Sequence, residues 1–180
     1  MNNIKPKTFV GILIMTNVYT HEKTSEKELV AILQRRGKVS DEDNTSFKWE
    51  RYSGFCEVTS YGKMEANETI EETLMREVSE ELGSKVAKMI KKYDKKILFE
   101  KVNNKGEKYC VFCTLLPSEV FGAMQLDVST GGIEIIRKSD IKKIKETYFG
   151  KSKKSISDLK DITLWELPVS VLKKSFEMFS

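Results

Sequence analysis

Between Thr69 and Gly83 the sequence commits the chain to a helix whose two long faces have opposite needs. Ile70, Leu74, Val78 and Leu82 recur four apart and form one apolar stripe. Thr69 with Glu72 has the spacing of a capping box, and Gly83 stands at the usual C-terminal stop. Glu77, Glu80 and Glu81 crowd a narrow sector beside the stripe, because steps of three and four return to one helix face. A solvated helix would pair such acids with lysines four residues on. Here Glu77 has Glu81 at that position, and the nearest upstream base is Arg76. The crowding makes sense if a hard divalent cation sits among the oxygens. The helix can then be anchored in a core while its acids face a cleft.

The rest of the chain reads as short strands and a few helices. Thr8–Asn17 is expected as a first strand and Glu28–Arg36 as a second, with Tyr19–Lys27 as a polar connection. Gly37–Ser46 reads as a polar loop with an acidic cluster at Asp41, Glu42 and Asp43, and Trp49–Val58 as extended. Ile97–Val102 and Glu107–Leu116 flank a turn signal at Asn103–Gly106, the pattern of a hairpin. Gly132–Arg137 is a further strand, and Ser139 with Asp140 opens a helix through about Lys145. Pro168 suits the first turn of a last helix whose Val169, Leu172, Phe176 and Phe179 face a core. Strands and helices do not alternate regularly, so the expected class is α+β with a sheet between helices. Residues 1–180 read as one domain, with a lysine-rich segment and the C-terminal helix, about 146–180, as an appended element.

Composition narrows the function classes. The 31 Lys and Arg against 27 Asp and Glu leave a formal net charge of +4, compatible with phosphate-bearing ligands and with an ordinary mixed surface. Lys142, Lys143, Lys145, Lys151, Lys153 and Lys154 read as a solvated face rather than an RNA-contacting one. The three cysteines are odd in number and sparse, which argues against a disulfide framework. Cys110 and Cys113 lie three apart on a strand, so they point to opposite faces and cannot grip one metal; the single histidine, His21, lies far off. Phe9–Met15 is far short of a membrane span. No small-residue cleavage site follows it, so it reads as a buried strand, and a cytoplasmic location is expected.

The segment from Gly62 to Gly83 resembles the Nudix box, G-x5-E-x7-R-E-U-x-E-E-x-G-U with U aliphatic. Gly62, Glu68, Arg76, Glu77, Val78, Glu80, Glu81 and Gly83 stand at the required spacings; Ser84 takes the last, aliphatic position. The resemblance implies an α/β/α sandwich around a mixed sheet, and hydrolysis of a diphosphate joined to another group, with Mg²⁺ or Mn²⁺. It implies that Glu77, Glu80 and Glu81 face the metal, Glu77 and Glu81 as direct ligands joined by the Gly62 carbonyl. Arg76 and Glu68 would orient these acids. Glu80 and Glu81 would serve the chemistry, and Glu134 stands in for the late acid that many members carry, on a strand where it can equally face solvent. Tyr61 and Lys63 are candidate substrate contacts, Tyr61 by stacking on a base or by packing. Ser60-Tyr61 replaces the glycine-rich pair that many members have before the box. Trp49, Tyr52 and Phe55 are further aromatic candidates, for a base pocket or for the core.

The implied partner is a small nucleoside diphosphate derivative rather than nucleic acid or membrane, in a chain of a kind that often forms homodimers. A diphosphate isomerase on the same fold would need several histidines, which one His21 cannot supply. A module that only binds nucleotide would not require all three acids, and RNA decapping or RNA contact through the lysine-rich tail would show as salt-dependent RNA binding. Chelation separates the readings: hydrolysis should stop in excess EDTA and return with added Mg²⁺. Full turnover in chelator would remove the cation from the mechanism.

Overall fold

In the computed structural model the described residues are 7–21, 24–40, 47–49, 54–127, 129–146, 163–164 and 167–180. Strands β1 (Thr8–His21) and β2 (Thr24–Arg36) form a long antiparallel hairpin. Strands β3 (Lys38–Ser40) and β4 (Phe47–Trp49) pair as a small sheet of their own. Then come β5 (Cys56–Glu57), β6 (Ser60–Lys63), helix α1 (Ile70–Leu82) and helix α2 (Ser84–Ile90). The second half holds β7 (Lys96–Val102), β8 (Lys108–Leu116), α3 (Val120–Ala123), β9 (Thr130–Arg137) and a 3₁₀ helix (Lys138–Lys143). Strands β10 (Lys145–Glu146) and β11 (Thr163–Leu164) and helix α4 (Val169–Phe179) complete it.

Strand β1 is the axis. It runs parallel to β8 along one edge, from Thr8↔Lys108 to Thr16↔Leu116. Along its other edge the partner changes. Phe9 to Ile12 pair with β6, whereas Ile14 to His21 pair with β2. Strand β2 does the same: its residues up to Ile32 pair with β1, and Gln34 and Arg35 pair with β5. Strand β9 lies along the opposite edge of β2. The two strands therefore fork near Leu13 and Leu33, and the segment Cys56–Lys63 is the wedge between them. Thr59, fully buried, sits at the branch. Its Oγ1 accepts the Ile14 amide at 2.7 Å and donates to the Ile32 carbonyl. One hydroxyl thus replaces the ladder bonds that the parting strands lose.

Both faces of the sheet are covered. Val10, Ile12, Ile14 and Ile32 pack under Leu74, Val78 and Leu82 of α1 and Val86 and Ile90 of α2. Leu13, Met15, Ala31 and Leu33 pack under Leu172 and Phe176 of α4. Burial on both faces explains why Phe9–Met15 is continuously apolar instead of alternating. The arrangement is the sheet between helices that the sequence implied. Cys110 pairs with Val10 and Cys113 with Leu13, and these partners belong to opposite faces. Burial pushes their thiols up, to about 11 and about 12, and all three cysteines are free.

Several expectations shift. The supposed polar connection Tyr19–Lys27 is mostly strand, because the hairpin pairing continues to His21↔Thr24. The supposed loop Gly37–Ser46 contains β3, paired with β4, while Asp41, Glu42 and Asp43 lie outside the described residues. The helix at Ser139 is a 3₁₀ turn ending at Lys143, in which Lys143 pairs with Asp140 at 2.7 Å. Pro168 is the cap before α4, not its first turn. Leu172 and Phe176 of α4 belong to a core cluster shared with β1 and β2. Lys151, Lys153, Lys154 and Tyr52 lie outside the described residues. Among the described residues no helix is long and apolar enough to cross a membrane.

The fork makes a direct demand on Thr59. Thr59→Val keeps the volume but leaves a buried amide and a buried carbonyl without their hydroxyl, and should cost about 1–3 kcal/mol. Urea unfolding would show a lower midpoint at unchanged slope; a midpoint equal to the parent's would mean that the branch is held by packing alone.

Candidate active site

Helix α1 lies across the wedge with its acids toward β6. The capping box forms as the spacing predicts: the Thr69 hydroxyl accepts the Glu72 amide, and Glu72 accepts the Thr69 amide at 2.8 Å. That fixes the first turn, and the buried stripe of Leu74, Val78 and Leu82 fixes the rotation of the helix. At about 1.5–3 kcal/mol each, these side chains far outweigh the repulsion of surface carboxylates.

Glycine at position 62 is a matter of contact. A Cβ built there would stand 1.8 Å from the Glu77 carboxyl carbon. The Glu77 carboxylate therefore rests against bare backbone, and any side chain at position 62 would expel it. One turn on, Glu81 is oriented from the same strand: Oε2 accepts the Tyr61 amide at 3.1 Å. Its Oε1 lies 3.4 Å from the Gln34 Nε2.

Arg76 brackets the outer side. Nε and Nη2 reach Glu68 at 2.7 and 3.1 Å; Nη1 reaches Glu77 at 2.7 Å and Glu80 at 3.1 Å; Nη2 also donates to the Lys63 carbonyl at 2.9 Å. One guanidinium thus joins the loop after β6 to two of the three acids. Glu68 is tied further by the Glu65 amide and the Thr73 hydroxyl, both at 2.9 Å. The Arg76 bonds first, and then the Glu65 amide, pull the Glu68 carboxyl down to about 2. Glu77 behaves oppositely, since burial raises it despite Arg76. Burial, opposed by the Ser60 hydroxyl and reinforced by the charge of Glu57, pushes Glu81 up to about 7.

The structure thus brings together Gly62, Glu68, Arg76, Glu77, Glu80 and Glu81. Glu80 is the most solvent-open of the three acids, with 59% of its side chain exposed. Lys63 borders the cleft, and its carbonyl serves Arg76. Tyr61 also borders the cleft, but its ring packs: it stacks on Phe9 at 5.9 Å and lies over Gly11. Glu134 is not brought to the acids. It pairs with Leu33, on the sheet face covered by α4, and is held at 2.6 Å by Arg35. Phe55 is core, and the Trp49 side chain lies outside the described residues.

Four residues of the site escaped sequence reasoning. Gln34 and Arg36 alternate on β2, Glu57 sits across from Gln34, and the Thr130 hydroxyl donates to the Gln34 carbonyl at 3.2 Å. Glu57 is 7% exposed and accepts from Gln34 at 3.1 Å and from Arg36 at 2.9 Å. The available signal was one carboxylate in the otherwise uncharged run from Phe55 to Ser60, which the structure buries throughout. Gln34, Arg36 and Glu57 line a cleft of about 360 Å³ with Phe9, Tyr61, Gly62, Lys63, Glu81, Tyr109 and Ser129.

The donor set suits a hard divalent cation. Among the described residues no three acid, histidine or cysteine side chains converge into a closed metal cage. What the structure shows is the Glu77 carboxylate against the bare backbone of Gly62, with the Glu81 carboxylate one turn on. Hard oxygen donors in an incomplete shell match Mg²⁺ or Mn²⁺, which keep waters and share substrate phosphates.

Comparison with known proteins bears on the family and the fold. The NUDIX domain family profile matches residues 16–149. A MutT/nudix family protein from Enterococcus faecalis superposes with a TM-score of 0.56 at 13% identity, over 97% of this chain and 62% of that one. A mutT/nudix family protein from Listeria innocua gives 0.52 at 15% identity, over 75% of this chain and 81% of that one. The NUDIX domain of Shewanella oneidensis NrtR, crystallised with ADP ribose, gives 0.51 at 11% identity, over 97% and 89%. No curated protein matches the sequence.

The raised Glu81 carboxyl has a measurable consequence in metal-free protein. Between its ordinary 4.5 and about 7 it keeps its proton when folded and releases it when unfolded. Its stabilising contribution is complete below pH 4.5 and is lost as pH rises through about 7, and the raised Glu77 acts in the same direction. Denaturation in chelator should show stability falling across that window by up to ~3 kcal/mol. Glu81→Gln should flatten the slope; an unchanged slope would show that Glu81 is ionised throughout.

Proposed function

The chain belongs to the NUDIX family of pyrophosphohydrolases, and from that premise we propose that it is a Mg²⁺-dependent enzyme cleaving the diphosphate linkage of a nucleoside diphosphate derivative by attack of water at phosphorus. The observation that carries this reading is the seat of Glu77 against Gly62, with Glu81 one turn on and Arg76 bracketing the outer side. Glu77 and Glu81 would hold the cation, with Glu80 joining by leaving Arg76. When bound, Mg²⁺ neutralises diphosphate oxygens and lowers the pKa of its water.

The protein's own groups do the rest. Arg76 and Glu68 keep the loop after β6 against the helix, so that the acids and the Lys63 carbonyl hold one geometry. Glu80, exposed and, among the described residues, tied through Arg76 alone, has the freedom to turn either onto the cation or toward attacking water to take its proton. Lys63 and Arg36 bring positive charge to the cleft for the phosphates. Phe9, Tyr61 and Tyr109 form an aromatic wall, with Phe9 and Tyr109 stacked at 5.2 Å, that suits a nucleoside. The cleft volume fits a ligand of that size. ADP-ribose heads the candidate substrates, because it occupies the similar NUDIX domain described above. Sugar nucleotides, dinucleoside polyphosphates and nucleoside triphosphates complete the screen.

On whichever of these the parent cleaves with saturating Mg²⁺, Glu81→Gln should lower kcat by ~10²–10³-fold. The melting temperature should hold or rise, since one buried acid is removed. Arg76→Gln should lower both activity and stability, because five hydrogen bonds converge on it. Glu134→Gln should leave kcat near the parent's. Near-parental kcat in Glu81→Gln would place the catalytic centre elsewhere.

A further inference from the structure

We propose that Gln34 is a positioning residue for Glu81, holding it in register with Glu57 through a single amide; this rests on the reading of Glu81 as a metal-facing acid. Gln34 is 2% exposed on β2, directly across from Glu57. Its Nε2 is 3.1 Å from Glu57 Oε1 and 3.4 Å from Glu81 Oε1. Ionised, as a bound cation requires, the carboxylates only accept, and an amide NH₂ has two hydrogens, one for each acid. The Thr130 hydroxyl donates to the Gln34 Oε1 at 3.2 Å, which turns the carbonyl away from both acids. A flipped amide would set its carbonyl against two carboxylates, so the orientation is dictated by charge.

The far oxygens are also held. Arg36 takes Glu57 Oε2 at 2.9 Å, and the Tyr61 amide takes Glu81 Oε2 at 3.1 Å. Glu81 is therefore gripped by β6 on one side and by β2 on the other, across the fork. The neutrality of Gln34 matters for the site it serves. A lysine or arginine there would orient Glu81 equally well but would discharge it and repel an incoming cation. A leucine would leave two buried carboxylates face to face. An amide orients the acid and leaves its full charge for the cation.

Two variants of the full chain test this: Gln34→Leu, and Thr130→Val, which keeps Gln34 but removes the hydroxyl that orients its amide and that also lies 3.5 Å from the Glu81 backbone carbonyl. Three measurements are made: Mn²⁺ affinity of nucleotide-free protein by electron paramagnetic resonance, the metal-free crystal structure, and kcat with KM on a substrate the parent cleaves. For Gln34→Leu the Mn²⁺ affinity and kcat should each fall by ~10–100-fold, with KM within ~threefold. The Glu81 carboxylate should be displaced in the metal-free crystal. Thr130→Val should show the same changes at smaller size. If Gln34→Leu fails to fold, Thr130→Val decides on the same criteria. Glu81 unmoved and Mn²⁺ affinity unchanged in the variants overturns the proposal. A parent that binds Mn²⁺ but cleaves none of the diphosphates would refute the hydrolase reading alone. If the parent binds no Mn²⁺, the position of Glu81 in the metal-free crystals still decides the role of Gln34.

Discussion

The site exists because β1 and β2 part. An uninterrupted hairpin would spend its backbone groups on its own ladder and leave no opening. Here both strands give up one another near Leu13 and Leu33 and take the segment Cys56–Lys63 between them. Buried backbone groups at such a branch need partners. Thr59 supplies them with a hydroxyl that both accepts and donates, something a backbone group or an apolar side chain cannot do. The wedge then presents β6 edge-on to α1, and the opening between β6 and β2 becomes the cleft.

On that frame the acids are distributed by their neighbours. Three carboxylates start within one sector of one helix and end in three environments. Glu77 is pressed on Gly62, Glu80 is open to solvent under Arg76, and Glu81 is sunk between the Tyr61 amide and Gln34. Burial raises Glu77 and Glu81, while the Arg76 bonds lower Glu68 just outside them. Metal-free protein thus carries an unfavourable electrostatic load at this spot, and a divalent cation is what would relieve it. Anchoring is what permits the load: Leu74, Val78 and Leu82 of α1 are fully buried in the turns that carry the acids.

The far face of the sheet has a separate task. Leu172 and Phe176 of α4 close the core over Leu13, Met15, Ala31 and Leu33. Arg35 and Glu134 form their short ion pair there, one strand position away from Gln34 and its network. Neighbouring residues on β2 therefore serve opposite sides of the molecule, Arg35 the scaffold and Gln34 the site. The alternation of a strand is enough to separate them.

What the sequence by itself determined is local. The span of α1, its capping box, its stop at Gly83 and the shared face of its acids follow from spacings of three and four, and such spacings act within one turn. The opposite facing of Cys110 and Cys113 follows from the period of two in the same way. The hairpin of β7 and β8 was legible because its turn residues mark it. Glu134 shows the limit: its strand was legible, but its face depends on register with β2, which its own residues do not encode. Gln34, Glu57, Arg36 and Thr130 lie on three strands far apart in sequence, and only pairing across the fork brings them to Glu81. Each of them alone is an ordinary polar residue. Tertiary structure decided the site's inner wall, because burial and register, which no local spacing specifies, turned those four side chains into one network.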